Sequence, residues 1–200
     1  MGKGTHDATE ADREDRTAAL LRIISTRRVV RDFSADRVSD GDLRKILTAA
    51  RWAPRGSNTN IHRLLVIQDP SVIQQVRAFS PGILGLPSAM IVICTDPALA
   101  TQAAMQLDKD LTPWIDVGTA AMNMMLVAHA LGLGSCPATS FSKSAVSVVL
   151  KLPPNVVPEF ILQLGHRAPQ SRTPTQGPPT RVTIDDLVFW ENYGTTRRIS

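Results

Sequence analysis

Four places in this sequence gather side chains suited to holding a small anionic or planar ligand. In Arg27-Arg28-Val29-Val30-Arg31, Arg27 and Arg31 flank a switch from helix-like to strand-like sequence. Two such guanidinium groups can converge on one phosphate through charge-assisted, bidentate bonds. In Pro54-Arg55-Gly56-Ser57-Asn58-Thr59-Asn60, Gly56 lets backbone approach a ligand closely, and the amides of Asn58 and Asn60 both donate and accept. That combination can read the N–C=O edge of a flat heterocycle. The run from Gly132 to Phe141 leads into the small residues Pro137, Ala138, Thr139 and Ser140, whose backbone can lie against a ring. Arg181 is the charge at the head of the C-terminal stretch. Each has a plainer reading: a solvated basic stretch, a polar turn, a helix stop followed by a strand, and a surface arginine. Taken singly, the four leave both readings open.

Other chemistries find less support. Ser140-Phe141-Ser142-Lys143 has the SxxK spacing, but no SDN or KTG run accompanies it, and Ser142 reads better as a helix cap. His6, His62, His129 and His166 lack metal-ligand spacing, and Asp108 and Asp110 read as an exposed loop pair. No metal site and no nucleophile–base pair is therefore expected. Cys94 and Cys136 stand in apolar surroundings without CxxC spacing, as buried reduced thiols do. No GxGxxG turn follows a strand, which argues against a Rossmann dinucleotide site. The charge of +4 comes without a nucleic-acid reader motif, so no nucleic-acid partner is expected. The N-terminus has no apolar signal core, and the apolar stretch from Met122 to Leu133 is short and broken by Asn123 and His129. These features lead to the expectation of a cytoplasmic protein with no membrane partner.

The elements that must position these groups follow from periodicity and punctuation. Two hundred residues with 43% apolar content suit one soluble domain. Residues 1–15 are polar and aperiodic and are expected to be mobile, leaving 16–200 as a single domain. Helical spacing of Ala19, Leu20, Ile23 and Ile24 predicts a helix over Arg16–Thr26, ending where Val29 and Val30 favour extended backbone. Ser39 and Asp42 form a cap for a second helix, with Leu43, Ile46, Leu47 and Ala50 on its apolar face and Pro54 beyond it. Short helices are expected over Ser71–Phe79 and Ser142–Leu150. Buried strands are expected over Leu64–Ile67, Ala89–Cys94, Ser135–Ala138 and Phe160–Leu164. A long small-residue helix is predicted from Trp114 to Leu131, stopped by Gly132. Residues 168–180 form a Pro- and Thr-rich tether, and Val182–Trp190 restores apolar content. A C-terminal arm over 168–200 that packs on a partner subunit is the natural expectation.

Read in order, several short motifs carry a family resemblance. They are Arg27-Arg28-x-x-Arg31-x-Phe33, Ala53-Pro54-x-x-Ser57-Asn58, His129-Ala130-x-Gly132-Leu133-Gly134-x-Cys136, Leu164-Gly165-His166, Arg181 and Trp190-Glu191. Together they resemble the FMN-dependent nitroreductase family from about Ala18 to Gly194. The resemblance implies an α+β fold with a central mixed, largely antiparallel sheet flanked by helices, and a dimer whose C-terminal arms are exchanged. It implies FMN as cofactor and NADH or NADPH as co-substrate, acting on a small planar organic molecule. Arg27, Arg28, Val29, Arg31 and Arg181 would meet the phosphate and ribityl chain. Pro54, Arg55, Gly56 and Asn58 of the other subunit would meet the flavin ring, with Pro137, Ala138, Thr139 and Ser140 on its remaining side. The chemistry would reside at flavin N5, with no catalytic side chain assigned. Three departures stand out: Val29 where Ser is usual, Pro179 near a usual basic residue, and Asn60-Ile61-His62 in place of Gln-Pro-Trp. The last makes Asn60 and His62 the expected substrate-pocket residues.

A closer similarity, through Arg77–Gly85, Gly134-Ser135-Cys136-Pro137 and Glu191-Asn192-Tyr193-Gly194, is to the flavin subunit of cyclodipeptide oxidases. That similarity implies a small second subunit. A flavin-binding or storage module without turnover is the alternative from another class.

Overall fold

The segment Ala89–Thr95 (β2) is apolar through Cys94, and every one of its residues is buried. A strand with no solvent-facing side must have neighbours on both edges and cover on both faces. In the computed structural model, which describes residues 9–56, 60–107, 109–169 and 183–195, it has all four. His62–Ile67 (β1) pairs with one edge of β2 and Val157–Gly165 (β4) with the other, and Gly134–Ala138 (β3) lies outside β4. All three pairings are antiparallel. Beyond β3, Val29 makes a parallel bridge to Ser135, and the Val30 N–H donates to the Ser135 carbonyl at 2.9 Å. This isolated bridge is a parallel contact at the edge of a four-stranded sheet whose own pairings are all antiparallel.

Alternation along the strands sends side chains to two cores. One face carries Ala89, Ile91, Ile93, Leu162 and Leu164 beneath two helices, Asp40–Arg51 (α2) and Thr112–Ala130 (α5). Ala121 and Ala128 of α5 let it lie close over the sheet, with Met124 and Met125 filling the space between. The opposite face carries Met90, Val92, Cys94 and Ile161 beneath Pro70–Ala78 (α3) and Lys143–Val149 (α6). Burial pushes the Cys94 thiol pKa up to about 11, as expected of an inert core thiol. The fold is α+β, with helices on both sides of a four-stranded sheet.

The ends of several elements follow capping chemistry legible in the residues. Ser39 accepts from the Asp42 N–H at 3.0 Å, Asp69 from Ser71 at 2.8 Å and Ser142 from Ala145 at 3.3 Å. Gly132 follows α5 with a φ of +78°, a conformation glycine adopts without strain. Two boundaries differ from expectation. The first helix (α1) spans Glu10–Thr26, so residues 10–15, expected to be mobile, are its opening turns. Thr9 and Asp12 form a reciprocal capping box that starts it early. A further helix, Pro97–Gln102 (α4), follows β2 where only a strand stop was expected; Asp96 caps it and Pro97 supplies its first residue. Thr183 and Asp186 cap a single turn, Ile184–Leu187 (α7). The tether residues 170–182 lie outside the described residues. No described helix is long and apolar enough to cross a membrane.

Candidate functional site

The basic cluster sits where α1 meets the outer edge of the sheet. Arg27 is half-buried, and its Nη1 is fully buried without a hydrogen-bond partner. Arg31 is also half-buried and lies close enough to Cys136 to oppose the dominant effect of burial, which raises that thiol's pKa. Arg28 turns the other way: its Nη1 donates to the carbonyls of Ser25 and Arg27 at 2.6 and 2.8 Å. In the single chain it therefore satisfies carbonyls at the end of α1, where a cation is also favoured by the helix dipole.

Glycines build the seat for this cluster. A Cβ on Gly134 would come within 2.8 Å of the Val30 side chain, and one on Gly165 within 2.8 Å of the Phe33 ring. Gly134 and Gly165 are register partners, so the two residues spaced between and after the arginines dock over one glycine pair. Gly85 is tighter still, since its Cβ would lie 1.8 Å from the Arg31 carbonyl oxygen. The same segment reaches the other small-residue run: Gly82 N–H donates to Ser140 O, and Ser142 N–H to Phe79 O, both at 2.9 Å. The structure thus gathers Arg27, Val29 and Arg31 along the sheet edge formed by β3. Pro137 is half-buried and Ala138 buried at the end of that strand, and Thr139 and Ser140 follow it exposed.

A second constellation stands at the start of α5. Gly56 N–H donates to both oxygens of Asp116, at 3.0 and 3.3 Å, and a Gly56 Cβ would lie 1.9 Å from Thr112 Cγ2. Asp116 is only 3% exposed, and the Thr119 hydroxyl donates to the Pro54 carbonyl at 3.2 Å. Pro54–Gly56 is therefore pinned by α5 from beneath. Asp116 carries a simple sequence signal that no motif marks: it is the only acidic residue in the nineteen of α5. His62 opens β1 with Nδ1 3.2 Å from Thr95 Oγ1. Its Nε2 is buried and unpartnered. Burial pushes its pKa down, partly offset by the nearby Asp116 carboxylate. A cavity of about 520 Å³ lies here, lined in part by Arg55, Asn60, His62 and Asp116. Asn58 and Arg181 lie outside the described residues.

The two constellations are anchored at opposite ends of α5. The first is tied to the end of α5, where Thr26 Oγ1 lies 2.9 Å from His129 Nε2; the second is tied to its start through Asp116. At 1.5 Å rise per residue, Asp116 and His129 are about 20 Å apart along the helix.

A family model described as nitroreductase matches residues 24–87 and 79–166, a span that contains both constellations. The chain belongs to the nitroreductase family. It is 33% identical over 153 residues to a candidate NADH dehydrogenase/NAD(P)H nitroreductase of Archaeoglobus fulgidus, covering 73% of this chain and 84% of the relative. It is 27% identical over 214 residues to an NADH dehydrogenase of Thermus thermophilus, covering 92% of this chain and 99% of the relative. Among solved structures, a nitroreductase family protein from Clostridium difficile superposes with a TM-score of 0.72 at 27% identity, covering 86% of this chain and 98% of that one. The NADPH:FMN oxidoreductase of Vibrio harveyi shares the fold with a TM-score of 0.73 at 23% identity, over 89% of this chain and 79% of that one. As a member of the nitroreductase family, this chain is an oxidoreductase. Among the described residues, no group of three or more His, Cys, Asp or Glu side chains could hold a metal ion.

Proposed function

We propose that this nitroreductase-family chain is an FMN-dependent oxidoreductase, working as a homodimer, that moves electrons between NADH or NADPH and a small planar organic molecule. The observation carrying this reading is the buried, unpartnered Nη1 of Arg27 beside half-buried Arg31, on an edge whose glycines admit close backbone approach. A buried cationic donor without an acceptor is costly, and a phosphate group removes that cost. The donor set present therefore fits a phosphorylated flavin.

Arg27, Arg31 and the backbone at Val29 would hold the phosphate, joined by Arg181 from the C-terminal arm. Pro137–Ser140 would lie along one side of the ring. The partner's Pro54, Arg55, Gly56 and Asn58 would supply the rest. FMN, when bound, supplies hydride acceptance and electron transfer at N5. The protein's part is to anchor the phosphate, orient the ring and restrict water. Asp116 contributes by fixing the Pro54–Gly56 backbone that approaches the ring.

The dimer is supported by the separation of the two constellations and by exposed apolar surface. Leu20, Leu21 and Ile24 of α1 and Ile115 and Met122 of α5 are each at least 44% exposed. A Cβ on Gly118, between the last two, would meet nothing within 4 Å. Apolar surface of this extent is suited to burial against a second copy. Identification of the released flavin, with anaerobic bleaching by NADH or NADPH, tests the reading. Bound FMN that bleaches is the expected result. Protein without flavin, or with a flavin that neither donor reduces, would count against turnover by this route.

A further inference from the structure

We propose that residues 80–88 form a strap coupling the two ends of the flavin site, with Ile83 as the positioning residue that holds it in place. What the two ends hold rests on the flavin reading; that one segment grips both is a property of this chain alone.

The strap is tied first where the ring-lining run leaves the sheet. β3 stops at Ala138, and Thr139 and Ser140 lie beyond its ladder. There Gly82 N–H donates to Ser140 O and Ser142 N–H to Phe79 O, both at 2.9 Å. A Gly82 Cβ would come within 3.0 Å of that same Ser140 oxygen, so the approach is close as well as bonded. Three residues on, Gly85 lies against the arginine end. Its Cβ would be 1.8 Å from the Arg31 carbonyl oxygen and 3.5 Å from the Phe33 ring. The strap then rejoins the sheet through Ser88 N–H, which donates to Leu164 O at 3.1 Å. Three residues reach at most about 11 Å, so Gly82 and Gly85 cannot move far independently.

Between the two glycines stands Ile83, only 4% exposed, in the core it shares with Ala138, Val146 and Ile161. Its N–H donates to Ser80 O at 2.9 Å, and the buried Ser80 hydroxyl donates to Val76 O at 2.7 Å. The turn entering the strap is thereby fixed to the end of α3. Leu84 and Leu86 are exposed, so the apolar anchor of the strap is Ile83. A close-packed interior transmits displacement instead of absorbing it. Truncating Ile83 therefore loosens the Arg31 and Ser140 backbones together.

The test compares Ile83→Ala with Ile67→Ala, which removes a side chain from the same core at the end of β1. FMN affinity reads the arginine end, and the rate of anaerobic reduction by NADH or NADPH at saturating FMN reads the ring end. Both should fall by about two- to thirtyfold in Ile83→Ala, the span of couplings carried by packed networks. Both should keep their wild-type values in Ile67→Ala, whose stability loss in urea controls for a merely structural role. Hydrogen exchange in flavin-stripped protein reads the strap without any cofactor. In Ile83→Ala the amides of Gly82 and Ser142 at one end, and of Val30 at the other, should exchange faster relative to those of β2; in Ile67→Ala they should not. Equal losses of affinity and rate in the two variants would overturn the proposal. So would a change at one end of the site alone, in either the flavin or the exchange measurements. Wild-type protein that takes up no FMN would count against the flavin reading, and exchange at the two ends would still decide the coupling. Should Ile83→Ala fail to fold, Ile83→Val should move the same readouts in the same direction by less.

Discussion

Replacing Arg27 with Met should move two measured quantities in opposite directions. The Arg27 side chain is half-buried, so part of its aliphatic stem is covered, while Nη1 is buried with no acceptor. Met retains an apolar stem and removes the unpaired donor. A buried unsatisfied donor costs about 1–3 kcal/mol, so flavin-free Arg27→Met protein should be as stable as the wild type or more stable by up to about that amount. Its affinity for FMN should fall by about 1.5–3 kcal/mol, roughly 10- to 150-fold, the effect of losing a hydrogen bond to a charged group. Urea unfolding of flavin-stripped protein, at one fixed protein concentration because assembly shifts apparent stability, gives the first quantity. Quenching of free flavin fluorescence gives the second. A variant destabilised by more than about 1 kcal/mol with unchanged FMN affinity would mean that Arg27 serves the fold and not the flavin.

Gly85→Ala places a Cβ against the Arg31 carbonyl and should weaken FMN binding at least as much as Arg31→Ala does, as fluorescence quenching would show; wild-type affinity would mean the seat adjusts freely. Asp116→Ala removes the acceptor for Gly56 N–H and should cost about 1–3 kcal/mol, with faster hydrogen exchange at Gly56. Asp116→Asn, which keeps one acceptor oxygen, should recover most of the protection. His62 holds a proton less well folded than unfolded, so below about 6.5 the unfolded chain takes up the extra proton first. The stability contribution of this neutral ring is therefore complete above that pH and is lost as the pH falls toward the folded-state value. Urea midpoints across pH 7 to 5 should fall less steeply in His62→Gln than in the wild type, and parallel profiles would assign the pH dependence to other groups.

Where local pattern carried the information, the elements were legible. The run at Ala89–Cys94 could only be a covered central strand, and Ser39, Ser142 and Gly132 marked helix ends through chemistry confined to a few neighbouring residues. The opening turns of α1 escaped because that helix buries no side chain and so shows little apolar period there; its capping box at Thr9 and Asp12 was the readable sign. The short α4 escaped because Asp96-Pro97 serves equally as a strand stop and as a helix start. Long-range fit was not legible at all. Gly134 reads as part of a turn after a helix, yet its missing side chain makes room for Val30, more than a hundred residues earlier. Arg27 and Arg28 look alike in sequence, but the first leaves a buried donor unpaired, while the exposed second folds back on carbonyls at the end of α1. Asn58 and Arg181, both expected at the flavin, lie outside the described residues.

In the proposed dimer each flavin site combines the arginine cluster of one chain with the Pro54–Gly56 loop of another. Co-expression of two differently tagged chains separates the two halves. One chain carries Arg27→Met with Arg31→Met, and the other carries Gly56→Val, which drives a side chain into Thr112. Each homodimer should be flavin-free. In the heterodimer, purified on both tags, the intact arginines of the second chain face the intact loop of the first, and one of the two sites is restored. Half the wild-type FMN content per chain is the predicted result. A heterodimer as devoid of flavin as its parents would place both halves of the site in one chain and rule out the shared site.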